Sequence, residues 1–259
     1  ATDPCLSIEP PDGHCQGLAA HLRPHARNSF FRVVTSELSE PAAAADLIYR
    51  SLGKRRAAVV HGASALSQGL ATAFALRFTR DGGKIVDQLT ADVLYDTETD
   101  VAAAAKQRQQ LVTTTPGAIL AGTDALASDQ FAKAAGSAAR GCYYTLVGPY
   151  PQQTKSAAGF VRQYRQRFGR DASSTSLAAF DATGVLIAAI AGAIDDAGGG
   201  LPSRAQVLDA LARTSAYSGA MGTFGFDARG DVTLKWVSAY QWLAPTDPVG
   251  RFAAEVAAP

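Results

Sequence analysis

The chain has 259 residues and a net charge of +1, from 24 Lys and Arg against 23 Asp and Glu. Apolar residues make up 47% and charged residues 18%, which excludes a disordered chain and allows a substantial core. A balance this even offers no field to draw in nucleic acid or an anionic membrane surface.

Residues 1–29 are rich in proline and histidine and show no period, so they read as loop. No secretion leader is legible at Ala1-Thr2-Asp3-Pro4. Cys5 and Cys15 flank the turn Pro10-Pro11-Asp12-Gly13 and can close a small loop in an oxidising compartment. The third cysteine, Cys142, lies in the apolar run 141–147 and reads as a buried strand residue. Strands are expected at 30–34, 57–61, 84–88, 118–121 and 143–147. Helices are expected from Pro41 to before Gly53, at 66–80, at 100–112 and at 129–139. This alternation implies parallel βαβ units, whose ligands sit beyond the carboxyl ends of the strands. The loops to inspect are therefore 61–68, 122–128 and 148–154. The second half reads as helices over 157–168, 177–197 and 203–213. A turn at 227–231, a strand over 232–242 and a loosely held tail from Leu243 follow. The longest uncharged apolar run, 182–194, falls short of the roughly 20 residues of a bilayer span, so no membrane insertion is expected.

Three constellations bear on chemistry. Gly62-Ala63-Ser64-Ala65-Leu66 follows a strand and opens a helix, the setting of a hydrolase nucleophile elbow. Leu66 replaces that motif's last glycine, and all four histidines precede Ser64, so a hydrolase is disfavoured. The simpler reading is a helix N-terminus able to hold a polar ligand group. Cys5, His14, Cys15, His21 and His25 fall close together, but the cysteine spacing suits no zinc site and Pro24 breaks the histidine pair; no metal is expected. Arg162, Arg165, Arg167 and Arg170 read as a solvated helix face, without nucleic-acid contact. The acidic pairs Asp195/Asp196 and Asp227/Asp231 read as helix-end and turn residues, and no cofactor is called for.

Several stretches resemble the Leu/Ile/Val-binding branch of the type I periplasmic binding proteins, the receptors of amino-acid ABC transporters. They are Ala1-Thr2-Asp3-Pro4, Phe30-Phe31-Arg32-Val33, Val60-His61 through Gln68-Gly69-Leu70-Ala71, Gly136-Ser137-Ala138-Ala139-Arg140-Gly141, Ala179-Phe180-Asp181-Ala182, and Gly222-Thr223-Phe224 through Asp231 with Tyr240-Gln241-Trp242. Each is weak alone; their order and spacing run across nearly the whole chain.

The resemblance implies an α/β, two-lobed type I periplasmic-binding-protein fold with parallel sheets flanked by helices. It also implies that lobe 1 is incomplete, because the chain starts after that family's first βα units, and that lobe 2 is one unit short. The implied partition is 1–33 as the remainder of lobe 1 and first crossover, 34–150 as lobe 2, 151–236 as the rest of lobe 1, and 237–259 as the last crossover strand and tail. The implied role is non-catalytic: a periplasmic receptor that closes on a small amino-acid-like or apolar-tailed carboxylate ligand between its lobes and delivers it to a membrane permease. A ligand-sensing regulatory domain of the same fold is the alternative. The family's ligand-holding hydroxyl falls on Thr2, beside the Ala1 backbone. The acidic residue that receives the ligand's ammonium falls on Asp124. Leu66 stands where the family has a ligand-contacting tyrosine, which makes the site more apolar, and Ser64 is a polar contact inferred from the helix N-terminus. An oxidising periplasm also implies that Cys5 and Cys15 are bridged.

Overall fold

The computed structural model describes residues 2–8, 15–24, 27–244 and 250–257. In chain order the elements are α1 (Leu18–His21), α2 (Ser39–Asp46), β1 (Arg56–Val60), α3 (Ala65–Arg80), β2 (Lys84–Ile85), β3 (Val93–Asp96), α4 (Val101–Thr114), β4 (Ile119–Gly122), α5 (Asp129–Ala135), β5 (Tyr143–Val147), α6 (Ala158–Phe168), α7 (Ser174–Asp196), α8 (Arg204–Ala212), β6 (Tyr217–Ser218), β7 (Thr223–Phe224), β8 (Trp236–Gln241) and β9 (Arg251–Ala257). They fall into two compact units. Unit 1 comprises Ala1–Ser36 and Gly148–Lys235; unit 2 comprises Glu37–Val147 and Trp236–Pro259.

Unit 2 holds a seven-stranded sheet in the order β2-β1-β3-β4-β5-β8-β9. The first five strands pair in parallel; β8 joins β5 antiparallel, and β9 joins β8 antiparallel. Its core forms where α2 and α3 meet the sheet. Tyr95 of β3 stacks on Phe74 with ring centroids 3.9 Å apart, and Phe74 stacks on Phe78 at 5.4 Å. Ala44, Ala45 and Ile48 pack against the same cluster. The small alanines let α2 approach the sheet closely, while each buried ring contributes on the order of 2–3 kcal/mol. Beyond β8, the buried Trp242 donates its indole N–H to the Leu126 carbonyl at 2.8 Å, fixing the turn that follows β4.

Unit 1 is built differently. Among the described residues its only strand pair of two or more residues is the short hairpin β6–β7, so the parallel sheet lies in unit 2 alone. The core gathers Val33, Leu177, Val185, Met221, Phe224 and Val232. Two buried charges organise it. The Arg32 guanidinium bonds Asp231 at 2.7 Å, the Thr2 and Asp3 carbonyls at 3.2 and 2.8 Å, and the Ser7 hydroxyl at 2.6 Å. The fully buried Asp181 carboxylate accepts the Ala220 and Met221 N–H groups, both at 2.7 Å. A side chain on Gly219 would come within 2.5 Å of that carboxylate, which is why glycine stands there. Cys5 and Cys15 form a disulfide with Cα atoms 5.2 Å apart, and Cys142 is a free, buried thiol.

Four sequence expectations are corrected. Residues 30–34 form no strand; their one ladder contact is an isolated bridge between Arg32 and Asp231. The strand expected over 84–88 ends at Ile85, and β3 over 93–96 is a strand the sequence reading passed over. The strand expected over 232–242 occupies 236–241. Within the tail, Arg251–Ala257 form β9, which extends the sheet of unit 2. The run 182–194 is part of a 23-residue helix that by length and composition alone is long and apolar enough to cross a membrane. Within unit 1, α7 buries Leu177, Val185 and Ala193 on one side, with Asp181 among them, and exposes Phe180, Leu186 and Ile187 on another.

Candidate ligand-binding site

The parallel register brings Val60, Asp96 and Gly122 side by side, so β1, β3 and β4 end together. The loops that leave this edge carry the chemistry of unit 2. After β1, the Ser64 hydroxyl caps α3 by accepting the Ser67 N–H at 3.1 Å. The buried Ser67 hydroxyl accepts the Gly62 N–H at 2.8 Å and donates to the Thr97 carbonyl at 2.7 Å; the Thr97 hydroxyl donates to the Ser67 carbonyl at 2.8 Å. This network locks the loop after β1 to the loop after β3. Glu98 lies against Gly62, where a Cβ would meet its carboxylate at 2.6 Å. Its Oε1 accepts the Thr99 and Asp100 N–H groups, and Asp100 caps α4.

Three acidic side chains mark the middle of the edge. Asp96, 1% exposed, accepts the Glu98 N–H on Oδ1 at 2.8 Å, while its Oδ2 has no partner. Burial raises its pKa to about 6. Asp124 opens the turn after β4 and is exposed, yet the protein around its carboxyl raises its pKa, against the opposing pull of the backbone N–H groups of Asp124 and Ala125. Glu40, near the start of α2, is 2% exposed and accepts the Thr145 hydroxyl at 3.0 Å. Burial, reinforced by Asp124, pushes its pKa well above the ordinary carboxylate range. The Tyr95 phenol lies in the same field, raised by burial first and then by Glu40, Asp96 and Asp124.

Of the residues singled out in the sequence, Ser64, Leu66 and Asp124 all lie at this carboxyl edge. Ser64 and Leu66 begin α3, with Leu66 half-buried, and Asp124 follows β4, separated from β1 by β3. Thr2 belongs to unit 1, where its carbonyl is held by Arg32; Ala1 lies outside the described residues. The metal candidates do not assemble: Cys5 and Cys15 are spent in the disulfide, His21 bonds the Gly17 carbonyl, and His14 and His25 lie outside the described residues. No group of three or more potential metal ligands occurs among the described residues. Ser64 and His61 are not bonded to each other; the His61 ring meets the Gly62 carbonyl at 2.8 Å. Arg162, Arg165, Arg167 and Arg170 are all exposed, and Arg165 pairs with Asp171. Sequence reasoning missed Glu40, Tyr95 and Asp96, which come from α2 and β3 and share no local motif. A separate concavity of about 510 Å³ lies within unit 1, lined by apolar side chains including Phe30, Phe31, Leu186, Leu208 and Phe226.

Neither a protein-family model nor a curated protein sequence matches the chain. Solved structures do. The leucine-binding protein LivK of Thermotoga maritima superimposes with a TM-score of 0.70 at 23% identity, over 87% of this chain and 67% of that one. The benzoate-bound solute-binding protein of an R. palustris ABC transporter gives 0.66 at 18% identity, over 93% and 69%. The isoleucine-bound LivJ of Streptococcus pneumoniae gives 0.66 at 19% identity, over 94% and 70%. The chain therefore has the fold of the type I periplasmic binding proteins, and it spans about two thirds of the length of these neighbours.

Proposed function

We propose that the chain is a non-catalytic, extracytoplasmic solute receptor that delivers a small ligand to the membrane permease of an ABC importer. The ligand class is an amino-acid-like molecule or an apolar-tailed carboxylate. The observation that carries this reading is the carboxyl edge of unit 2, where an exposed carboxylate, Asp124, and a helix N-terminus with the half-buried Leu66 are offered by a locked hydrogen-bonded scaffold. In this reading Asp124 receives a cationic head and Leu66 lies against the apolar tail. Free N–H groups of the first turn of α3 take a polar or anionic group. The same site gives no support to a hydrolase, because Ser64 is engaged as a helix cap and no base is bonded to it.

A thermal-shift screen of amino acids, amides and aromatic acids, leucine, isoleucine and benzoate among them, tests the reading. Ligand at a hundredfold over Kd raises stability by about 2.7 kcal/mol, which a melting curve resolves easily. The expected result is a saturable rise in Tm with at least one compound, which is recovered chemically unchanged. A panel that leaves Tm unmoved throughout, or a compound that is consumed, overturns it.

A further inference from the structure

We propose that Glu40 is the proton-carrying partner of Asp124, so that a ligand's cationic head arriving at Asp124 drives the Glu40 proton out to solvent. The inference rests on the receptor reading of Asp124 and adds a residue and a linkage to it.

The geometry sets Glu40 in an unusual place. It is almost fully buried beneath the carboxyl edge, and its carboxyl is held by the Thr145 hydroxyl at 3.0 Å. That hydroxyl also lies 3.4 Å from the Gly122 carbonyl, two residues before Asp124, so Thr145 joins Glu40 to the turn that carries Asp124. Among the described residues no Lys or Arg pairs with Glu40, and the charges that bear on it are the acidic Glu37, just ahead of α2, and Asp124 after β4. From β5 it takes hydrogen bonds from the Thr145 hydroxyl and the Val147 N–H. An ionised Glu40 has no positive charge to offset it, and burying an unpaired charge is expensive enough that the group takes a proton instead. The Tyr95 hydroxyl, buried on the side of the sheet that α2 covers, has no hydrogen-bond partner and so gives no donor to an ionised Glu40.

A cation beside Asp124 cancels the charge that opposes ionisation of Glu40. The carboxylic acid then dissociates, its proton passes to water, and the resulting carboxylate strengthens the hold on the cation. By linkage, release of one proton makes binding up to tenfold tighter per pH unit while Glu40 is protonated in the free receptor. Ligands without a cation gain nothing, so the pair selects ammonium-bearing solutes over neutral or purely anionic ones.

The test uses L-leucine and its ammonium-free analogue 4-methylpentanoate, at about pH 8, where Asp96 is ionised. Infrared spectra of the unliganded protein are expected to show a protonated-carboxyl C=O stretch that Glu40→Gln removes. Leucine should erase it and 4-methylpentanoate should leave it. Calorimetry of the unaltered protein in two buffers of different ionisation heat counts the released proton without any variant. The expected value approaches one for leucine and zero for the analogue. No protonated-carboxyl band in the unliganded protein, or leucine binding with the band intact and no proton released, overturns the proposal and leaves the receptor reading standing. Absence of binding heat with either compound, together with an unmoved Tm across the wider panel, overturns the receptor reading and the proposal with it.

Discussion

Asp96 makes a quantitative test of how the carboxyl edge is held. Its carboxyl titrates near 6 in the folded protein against an ordinary value of 3.8, because burial disfavours the charge and Oδ2 has no partner. The ionised form is therefore penalised by about 3 kcal/mol, at about 1.4 kcal/mol per pKa unit. The sign follows from proton counting. Between about pH 4 and about pH 6 the native state binds more protons at this site than the unfolded state, so stability is highest below that window and falls as pH rises through it. Asp96→Asn keeps the acceptor for the Glu98 N–H, present at 2.8 Å, and removes the charge. It also buries an amide NH₂ where Oδ2 stood, at about 1–3 kcal/mol. The variant should be less stable than the parent by about 1–3 kcal/mol at pH 4, and equal to it or up to about 2 kcal/mol more stable at pH 8. Urea unfolding followed by circular dichroism across that range reads the difference. Glu40 and Asp181 also have raised pKa values, but their contributions cancel in the comparison of variant with parent. Parallel stability curves for the two proteins would refute the argument that Asp96 is a buried, under-bonded carboxylate.

Arg32→Lys should destabilise unit 1 by about 3–5 kcal/mol, nearly as much as Arg32→Ala, because an ammonium cannot reproduce the fork that reaches Asp231, Ser7 and two carbonyls; equilibrium unfolding of the two variants checks this. A thiol titration of unfolded, non-reduced protein should find one thiol, Cys142, and three would contradict the disulfide. Replacing Cys5 and Cys15 together by serine should lower stability by about 3 kcal/mol, the loop-closure value for a bridge of this span, measured by the same unfolding assay. Ile187→Lys, on the open side of α7, should change unfolding free energy by no more than about 0.5 kcal/mol while raising solubility, whereas Val185→Lys on the packed side should prevent folding.

The sequence revealed the elements whose patterns are local. Ser64, Ser128 and Ser203 each stand as the N-cap of a helix, and Ser203 with Gln206 completes a capping box. What escaped was set by tertiary surroundings. Val93-Leu94-Tyr95 is too short an apolar run to announce itself, and a strand buried on both faces shows no alternation; yet β3 is central to the sheet and carries Tyr95 and Asp96. Phe30 to Val34 has strand composition, but its aromatics line the concavity of unit 1 instead of joining a ladder. The alanines in β9 carry little strand propensity, and the strand forms because β8 offers an open edge. The placement of Asp124 at the carboxyl edge was legible from its position after a strand. Glu40 was not, since an acidic residue near the start of an alanine-rich helix has the same pattern whether it stands in water or under a sheet.

The most direct test of the receptor reading is calorimetric titration of the strongest thermal-shift compound into the parent protein and into Asp124→Asn, with unfolding free energies measured in parallel. Asparagine preserves shape and hydrogen-bonding capacity at position 124 and removes only the charge. The account predicts one saturable site in the parent and a loss of about 2–5 kcal/mol of binding free energy in the variant, roughly thirtyfold or more in Kd, with stability altered by less than about 0.5 kcal/mol. An ammonium-bearing compound that binds both proteins equally would contradict it.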